Sequence, residues 1–260
     1  MAEPTSVFTR LVLAPNAGPM TLEGTNSYLL AAPGSASVVI VDPGPDDAGH
    51  IDALVGHGPV ELVLITHLHG DHTEASAELH RRTGAPVRAL DPAFCIGGEL
   101  LNDGEEIAAA GLRISVLATP GHTADSVCFV LDEDGAAGSI LTGDTLLGRG
   151  TTVLARPDGD LGAYLDSLGR LKNLGPMTVL PGHGPMLPNL EEISSAYLEH
   201  RLQRLDEVRA ARERLGANAT VATVTDAVYR DIEPSVRFAA EYSVEAQLAY
   251  LDSAGNDLTS

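Results

Sequence analysis

The stretch that decides the fold runs Leu62-Val63-Leu64-Ile65-Thr66-His67-Leu68-His69-Gly70-Asp71-His72. Its four leading apolar residues predict a buried strand, and the glycine permits a tight turn into a helix. Three imidazoles and one carboxylate therefore follow the strand within six residues. Because crowding such groups is costly unless a cation neutralises and orders them, the stretch predicts a metal site at a strand end.

Three further segments end in the same way, with a short apolar run, a glycine and then a polar side chain. Those side chains are His122 after Gly121, Asp144 after Gly143 and His183 after Gly182. Together with the first stretch they provide five histidines and two aspartates, a number that suits two metals sharing a bridge. The candidate ligands are His67, His69, Asp71, His72, His122, Asp144 and His183.

Short strand-like and helix-like segments alternate over the first two thirds of the chain. The predicted strands are residues 27–30, 36–41, 62–66, 87–90, 112–118, 126–131, 139–142 and 177–180. Helices are predicted over 72–83 and 162–174, each closed by a glycine. Many short strands with few helices indicate two packed sheets flanked by helices, which is an α/β sandwich.

The pattern changes after Pro188. Apolar residues repeat every three or four positions and predict one long amphipathic helix over 190–215, followed by shorter helices at 221–229 and 244–251. We therefore expect two parts, a sandwich domain over 1–188 and a small helical or winged-helix-like module over 189–260.

Seven of the 16 basic residues follow His200, and among them are Arg201 and Arg204. Two interpretations stay open for this arginine-rich segment. One is a solvated helix face with ion pairs to Glu207 or Glu213, and the other is a basic stripe facing the substrate, to which Arg149 would add.

Composition excludes several classes of protein. The chain has 260 residues and a net charge of -20, which works against non-specific binding to nucleic acid. Its one lysine, Lys172, fits neither a P-loop nor the S-x-x-K motif of serine β-lactamases. No apolar run is long enough to cross a bilayer, and the first ten residues do not look like a signal peptide, so we expect a cytoplasmic protein without a membrane partner.

The order H-x-H-x-D-H, followed by a distant His, Asp and His, resembles the metallo-β-lactamase superfamily over residues 8–188. Shorter segments resemble its β-lactamase-like protein 2 branch, which also carries a C-terminal winged-helix-like extension; they include Gly24-Thr25-Asn26 and Asp42-Pro43-Gly44. The resemblance implies an αβ/βα sandwich with a dinuclear zinc site at one edge. Ser126 departs from the branch, where a histidine is expected.

The resemblance also implies a role for each candidate. His67, His69 and His122 would bind the first Zn²⁺, Asp71, His72 and His183 the second, and Asp144 would bridge both. A hydroxide between the metals would be the nucleophile, oriented by Asp71 as the catalytic carboxylate. Nitrogen and oxygen donors also suit Mn²⁺ or Fe²⁺. Asp42 is either a partner of a ligand histidine or a turn residue before Pro43.

Three functions remain open from the sequence. The first is a zinc-dependent hydrolase of a small ester or thioester, which the acidic composition favours. The second is an endoribonuclease acting on single-stranded RNA, which the resemblance to the β-lactamase-like protein 2 branch implies. The third, non-enzymatic, is a metal-stabilised binding module. The sequence does not determine the oligomeric state.

Overall fold

The computed structural model describes residues 2–216, 218–230 and 233–257, and within them eleven strands form two sheets. The first sheet consists, in spatial order, of β1 (Glu3–Pro4), β2 (Thr9–Leu13), β3 (Asn26–Leu30), β4 (Val38–Val41), β5 (Val60–Leu64) and β6 (Val87–Arg88). The second consists of β11 (Thr178–Pro181), β10 (Ser139–Gly143), β9 (Val127–Leu131), β8 (Leu112–Ala118) and β7 (Glu106–Ala109).

Helices cover the outer faces of the two sheets and form the C-terminal part of the chain. They are α1 (Ala48–Val55), α2 (Gly70–Thr73), α3 (Ser76–Thr83), α4 (Leu161–Lys172), α5 (Leu190–Leu215), α6 (Val221–Val228) and α7 (Arg237–Asp257). Single 3₁₀ turns occur at Pro92–Phe94 and Pro234–Val236. Within the described ranges no helix has the length and apolar character needed to cross a membrane.

Three apolar layers hold the sandwich together. Side chains of both sheets, such as Leu64 on β5 and Phe129 on β9, meet in the central layer. The outer face of the first sheet packs on α1 and α3, with Ile51 and Leu79 fully buried. The outer face of the second sheet packs on α4 through Leu168 and its neighbours. The predicted αβ/βα sandwich is confirmed.

The strand directions bring the candidate ligands to one edge. β4 and β5 are parallel, and so are β10 and β11, while β8, β9 and β10 alternate in direction. The carboxyl ends of β4 and β5, and those of β8, β10 and β11, therefore share an edge in their respective sheets. A hydrogen bond of 2.8 Å from the Val127 amide to the Thr66 carbonyl joins the two edges.

The C-terminal part is helical, as predicted, and no strand forms among its described residues that could serve as a wing. Residues 217, 231, 232 and 258–260 lie outside the described residues. Leu190 and Tyr197 of α5 join the apolar cluster under the second sheet, while Val208, Val224 and Val244 bring α5, α6 and α7 together. Because the apolar packing continues past Pro188, division into two domains there stays a prediction.

Two helices differ by more than two residues from their predicted bounds. The helix predicted over 72–83 is two helices, α2 and α3, with Glu74 and Ala75 between them. The helical pattern stops at Ala75, whose amide donates to the Gly44 carbonyl at 3.1 Å instead of to the carbonyl four residues earlier. The last helix is longer than the predicted 244–251 and runs from Arg237 to Asp257.

Candidate functional site

All seven candidate side chains converge where the two sheets meet. One group contains His67, His69, His122 and Asp144, and the other contains Asp71, His72 and His183. In each group, one nitrogen or oxygen per residue lies within 4.8 Å of the others. The sequence correctly predicted which side chains come together, and their role as ligands stays a prediction.

Two glycines allow this convergence. Gly143 has φ 48°, and a Cβ there would lie 2.5 Å from the Thr66 hydroxyl. A Cβ on Gly182 would lie 2.6 Å from Asp144 Oδ1 and 2.8 Å from His72 Cε1. A larger residue at either position would therefore displace the strand end that carries a candidate ligand.

Asp144 faces both groups with different oxygens. Its Oδ1 lies 3.5 Å from His72 Nε2 and 3.4 Å from His183 Nε2, and its Oδ2 lies 3.7 Å from His122 Nε2. Oδ1 is buried and has no hydrogen-bond partner among the described residues. An unpaired carboxylate oxygen between two imidazoles is poised for a cation.

Three of the imidazoles are held in one orientation by hydrogen bonds at the ring nitrogen that faces away from the site. His72 Nδ1 lies 2.8 Å from Asp42 Oδ2, His122 Nδ1 lies 2.8 Å from the Val153 carbonyl, and His183 Nδ1 lies 3.2 Å from the Gly24 carbonyl. Since carbonyl and carboxylate oxygens only accept, each Nδ1 carries the hydrogen. In a neutral imidazole the inward Nε2 then presents a lone pair.

The inward nitrogens lie close to one another. His72 Nε2 is 3.2 Å from His183 Nε2, and His69 Nδ1 is 3.0 Å from His67 Nε2 and 3.1 Å from His122 Nε2. Lone pairs at this separation repel unless a proton or a cation lies between them. Five imidazoles and two carboxylates are donors that zinc and related ions accept, so the residues fit a metal centre.

Burial and neighbouring charges shift the pKa values of different residues of the site in opposite directions. Burial lowers the pKa of His67 well below its ordinary value, and neighbouring histidines add to the effect. Burial also opposes the charge of His183, but Asp144 and Asp71 outweigh it and raise that pKa to about 10. For Asp71, the bond to His183 and the charge of His72 overcome burial and lower the pKa to about 2.

Asp42 contacts the candidate ligand His72, as one of its two interpretations predicted. Its Oδ2 lies 2.8 Å from His72 Nδ1, and the same oxygen accepts from the Thr66 hydroxyl at 2.7 Å. Oδ1 accepts from the Thr66 amide at 2.8 Å. One buried carboxylate therefore joins the end of β5 to the ring of His72.

The loop before β3 supports the second group, and sequence reasoning did not assign this role. The Thr25 hydroxyl donates to Asp71 Oδ2 at 3.0 Å, and Asn16 bonds both the hydroxyl and the amide of Thr25 at 2.9 Å. Asn26 donates to the carbonyls of Pro181 and Gly184, on either side of His183. Only the resemblance of Gly24-Thr25-Asn26 signalled this loop in the sequence.

The other four histidines lie outside both groups. His50 is buried, with Nε2 2.9 Å from the Ser27 hydroxyl. Cys128 is buried in the core. Ser126 is also buried and contacts the Thr123 hydroxyl at 2.7 Å, so it stabilises the His122 loop.

Arg149, Arg201 and Arg204 do not form a free basic stripe. Arg201 is only 3% exposed, and Arg204 lies 2.6 Å from the Glu207 carboxylate and over the ring of Tyr229. Arg149 pairs with Glu23 at 2.8 Å. The interpretation of the α5 arginines as ion-paired is confirmed for Arg204, whereas Arg201 is neither solvated nor facing a cleft.

Comparison with known proteins agrees with this geometry. The model of the metallo-beta-lactamase superfamily matches residues 20–183, which include all seven candidate ligands. The chain belongs to this superfamily. Among curated superfamily relatives, a beta-lactamase-like protein 2 homolog of Caenorhabditis elegans is 35% identical, and the match covers 92% of this chain and 82% of the relative.

Two further superfamily comparisons bear on activity and fold. An atrochrysone carboxyl ACP thioesterase of Aspergillus chevalieri is 35% identical over 82% of this chain and 69% of its own length. A metallo-beta-lactamase family protein of Thermus thermophilus superposes with a TM-score of 0.78 at 23% identity, covering 95% of this chain and 94% of that structure. The chain is a metal-dependent hydrolase of the superfamily, which sets aside the binding-module alternative.

Proposed function

We propose that the protein is a dinuclear zinc-dependent hydrolase of small thioesters. The observation that carries the dinuclear centre is Asp144, whose two oxygens face the two groups of histidines. His67, His69 and His122 would hold one ion, and Asp71, His72 and His183 the other. When bound, the ions would lower the pKa of water and polarise the carbonyl of the substrate.

Asp71 is the catalytic carboxylate in this proposal. Its Oδ2 faces His183 at 3.2 Å and accepts from Thr25 at 3.0 Å, so the side chain is held in one orientation. The side chain is 29% exposed, against 12% for Asp144. Its remaining oxygen can therefore accept a hydrogen bond from an attacking water and orient it toward the substrate.

The charge state of the carboxylates favours a thioester. With a pKa of about 2, Asp71 is ionised at neutral pH and cannot donate a proton to a leaving group. A thiol has a pKa of about 8.5, so it leaves as the thiolate without a proton, whereas an alkoxide is far more basic. The named thioesterase relative supports the same substrate class.

The pairing of the arginines argues against RNA as the substrate. Neutralising phosphates requires cations near the cleft, but Arg201 is buried and Arg204 and Arg149 already face carboxylates. The net charge of -20 would add general repulsion of a polyanion. The ribonuclease alternative would have to break these pairs before the substrate bound.

Side-by-side turnover measurements test the proposal. One zinc-loaded preparation is given acyl-CoA, acyl-glutathione and single-stranded RNA across a salt series, with Asp71→Ala as the control for contaminating enzymes. We expect thioester hydrolysis that depends little on salt and is lost in the variant. RNA cleavage that weakens steeply with salt and vanishes in the variant, with the thioesters intact, would overturn the substrate assignment.

A further inference from the structure

Two side chains of α5, one helical turn apart, hold the loop that follows Asp144. The Tyr197 hydroxyl donates to the Gly150 carbonyl at 2.7 Å and accepts from the Leu147 amide at 3.2 Å. Arg201 donates from Nη2 to the Thr152 carbonyl. Residues four apart lie on one helix face, so a single stripe of α5 fixes this loop at several backbone positions.

The loop in turn orients His122. The Val153 carbonyl lies 2.8 Å from His122 Nδ1, and the Thr152 hydroxyl lies 3.0 Å from the same nitrogen. These two neighbours hold the hydrogen on Nδ1 and leave Nε2 facing His69. A displacement of residues 152 and 153 would therefore rotate the ring and move Nε2 out of its group.

Arg201 also contacts the opposite side of this arrangement. Its guanidinium carbon lies 5.1 Å from the centre of the Tyr164 ring. The backbone of Tyr164 packs against Gly121, where a Cβ would lie 2.4 Å from Tyr164 Cα. Arg201 thus contacts the loop that bonds the His122 ring, and it also contacts Tyr164, which packs against Gly121, the residue before His122.

The burial of Arg201 is difficult to explain by packing alone. The side chain is 3% exposed, and its Nε has no hydrogen-bond partner among the described residues. Burying a guanidinium with an unpaired donor costs free energy, and an apolar side chain of similar length would fill the space without that cost. Its bond to the Thr152 carbonyl is the feature that an apolar residue could not supply.

We propose that Arg201 is a positioning residue of the metal centre, which fixes the His122 ring through the Thr152 carbonyl and the Tyr164 ring. The inference rests on the proposed role of His122 as a ligand. It makes the first helix after the sandwich a part of the hydrolytic site, although that helix provides no candidate ligand. Loss of the arginine should weaken the metal beside His122 and spare the metal beside His183.

The test is stepwise metal binding by Arg201→Met in the full chain. Metal-free protein is titrated with Co²⁺ against a chromophoric chelator, and the cobalt absorption spectrum reports the ligand geometry of each ion. Methionine retains the aliphatic part of the side chain, but it lacks the guanidinium that lies over Tyr164 and cannot donate to Thr152. We expect one of the two affinities to fall ~10–100-fold with an altered spectrum, as for other partners of metal ligands, and the other to be unchanged.

Arg204→Met is the matched control, because Arg204 also lies over a tyrosine ring, Tyr229, at 5.0 Å and pairs with Glu207. It should change neither affinity. Arg201→Lys retains a donor and should restore part of the lost affinity, and it serves as the test if the methionine variant does not fold.

Unchanged affinities in Arg201→Met would overturn the proposal. So would an equal loss at both ions together with a lowered melting temperature, since that result indicates general destabilisation. The titration contains no substrate, so it is independent of turnover. A wild-type chain that binds two cobalt ions but hydrolyses no thioester would contradict the proposed function alone.

Discussion

His72 Nδ1 and Asp42 Oδ2 lie 2.8 Å apart, and both side chains are buried. Asp42 adopts φ 52°, in the left-handed region that few residues other than glycine, asparagine and aspartate tolerate. That backbone conformation turns the carboxylate toward both Thr66 and the ring of His72. The charge of Asp42 thereby stabilises a proton or a metal ion on the far side of the imidazole.

Asp42→Asn should weaken metal binding at His72. The amide retains the shape of the side chain but replaces an acceptor oxygen, so we expect a loss of ~10–100-fold in affinity for one ion. The free energy of unfolding should also fall by about 1–3 kcal/mol, because buried donors lose their acceptor. Asp134→Asn is the control, since Asp134 is buried and accepts from the Phe8 amide at 2.9 Å. It should destabilise the fold without changing metal affinity, and equal metal loss in both variants would refute the specific role.

Gly182→Ala should remove metal binding while most of the fold persists. The added Cβ would lie 2.6 Å from Asp144 Oδ1, so the carboxylate or the His183 loop must move. Gly169→Ala is the control, because a Cβ on this glycine in α4 meets nothing within 4 Å. That change should stabilise the protein by up to about 1 kcal/mol. Metal content and circular dichroism check both variants, and full metal content in Gly182→Ala would contradict the expectation.

His69→Ala or Asp144→Ala should lower the metal content of the purified protein below two equivalents and abolish hydrolysis, because neither variant retains a full ligand set. His57→Ala serves as the control, since His57 is exposed and lies outside both groups. Elemental analysis beside the turnover assay gives the result. Full activity of either ligand variant at unchanged metal content would contradict the dinuclear assignment.

Metal binding should release protons and strengthen as pH rises. In the metal-free site the pKa of His183 is raised to about 10, so the ring is protonated at neutral pH and must lose that proton to bind a metal. Affinity should therefore increase from pH 6 to 9 and level off near the raised pKa, by up to about tenfold per pH unit for one proton. Calorimetry in buffers of different ionisation enthalpy measures the proton release. Metal uptake at pH 7 without proton release would show that His183 is neutral beforehand.

Removing everything after Pro188 should unfold the remaining sandwich rather than merely reshape a cleft. Leu190, Tyr197 and Leu205 are buried in the cluster that also contains Leu168 of α4. Their loss would forgo roughly 1.5–3 kcal/mol for each fully buried side chain, which approaches the total stability of a typical domain. Chemical denaturation of the truncated chain beside the full chain measures the difference. A cooperative transition at the same midpoint would favour two independent domains.

The sequence revealed the site because its seven polar side chains follow strand ends directly. His67, His122 and His183 each come within a few residues of a buried strand, where strand direction alone brings them to one edge. The long helix α5 was predicted with its observed bounds, because its repeating apolar positions extend from Leu190 to Leu215.

Many of the contacts that support the candidate ligands were not predictable from the sequence. The acceptors for His122 and His183 are the backbone carbonyls of Val153 and Gly24. Because every residue has a backbone carbonyl, the sequence does not indicate which one accepts the hydrogen bond. The role of Arg201 depends on the placement of a helix against a loop. The helix α1 was missed, although Asp47 caps it by accepting from the His50 amide at 2.8 Å.

The bond between His183 and the Gly24 carbonyl joins residues 159 positions apart. During synthesis Gly24 leaves the ribosome before His183. At ~5–20 residues per second, the delay between the two residues is of order ten seconds. The five candidate ligands from His67 to His122 emerge within that interval, before Asp144 and His183. The nascent chain therefore exposes an incomplete set of candidate metal donors until the segment that carries His183 has been synthesised.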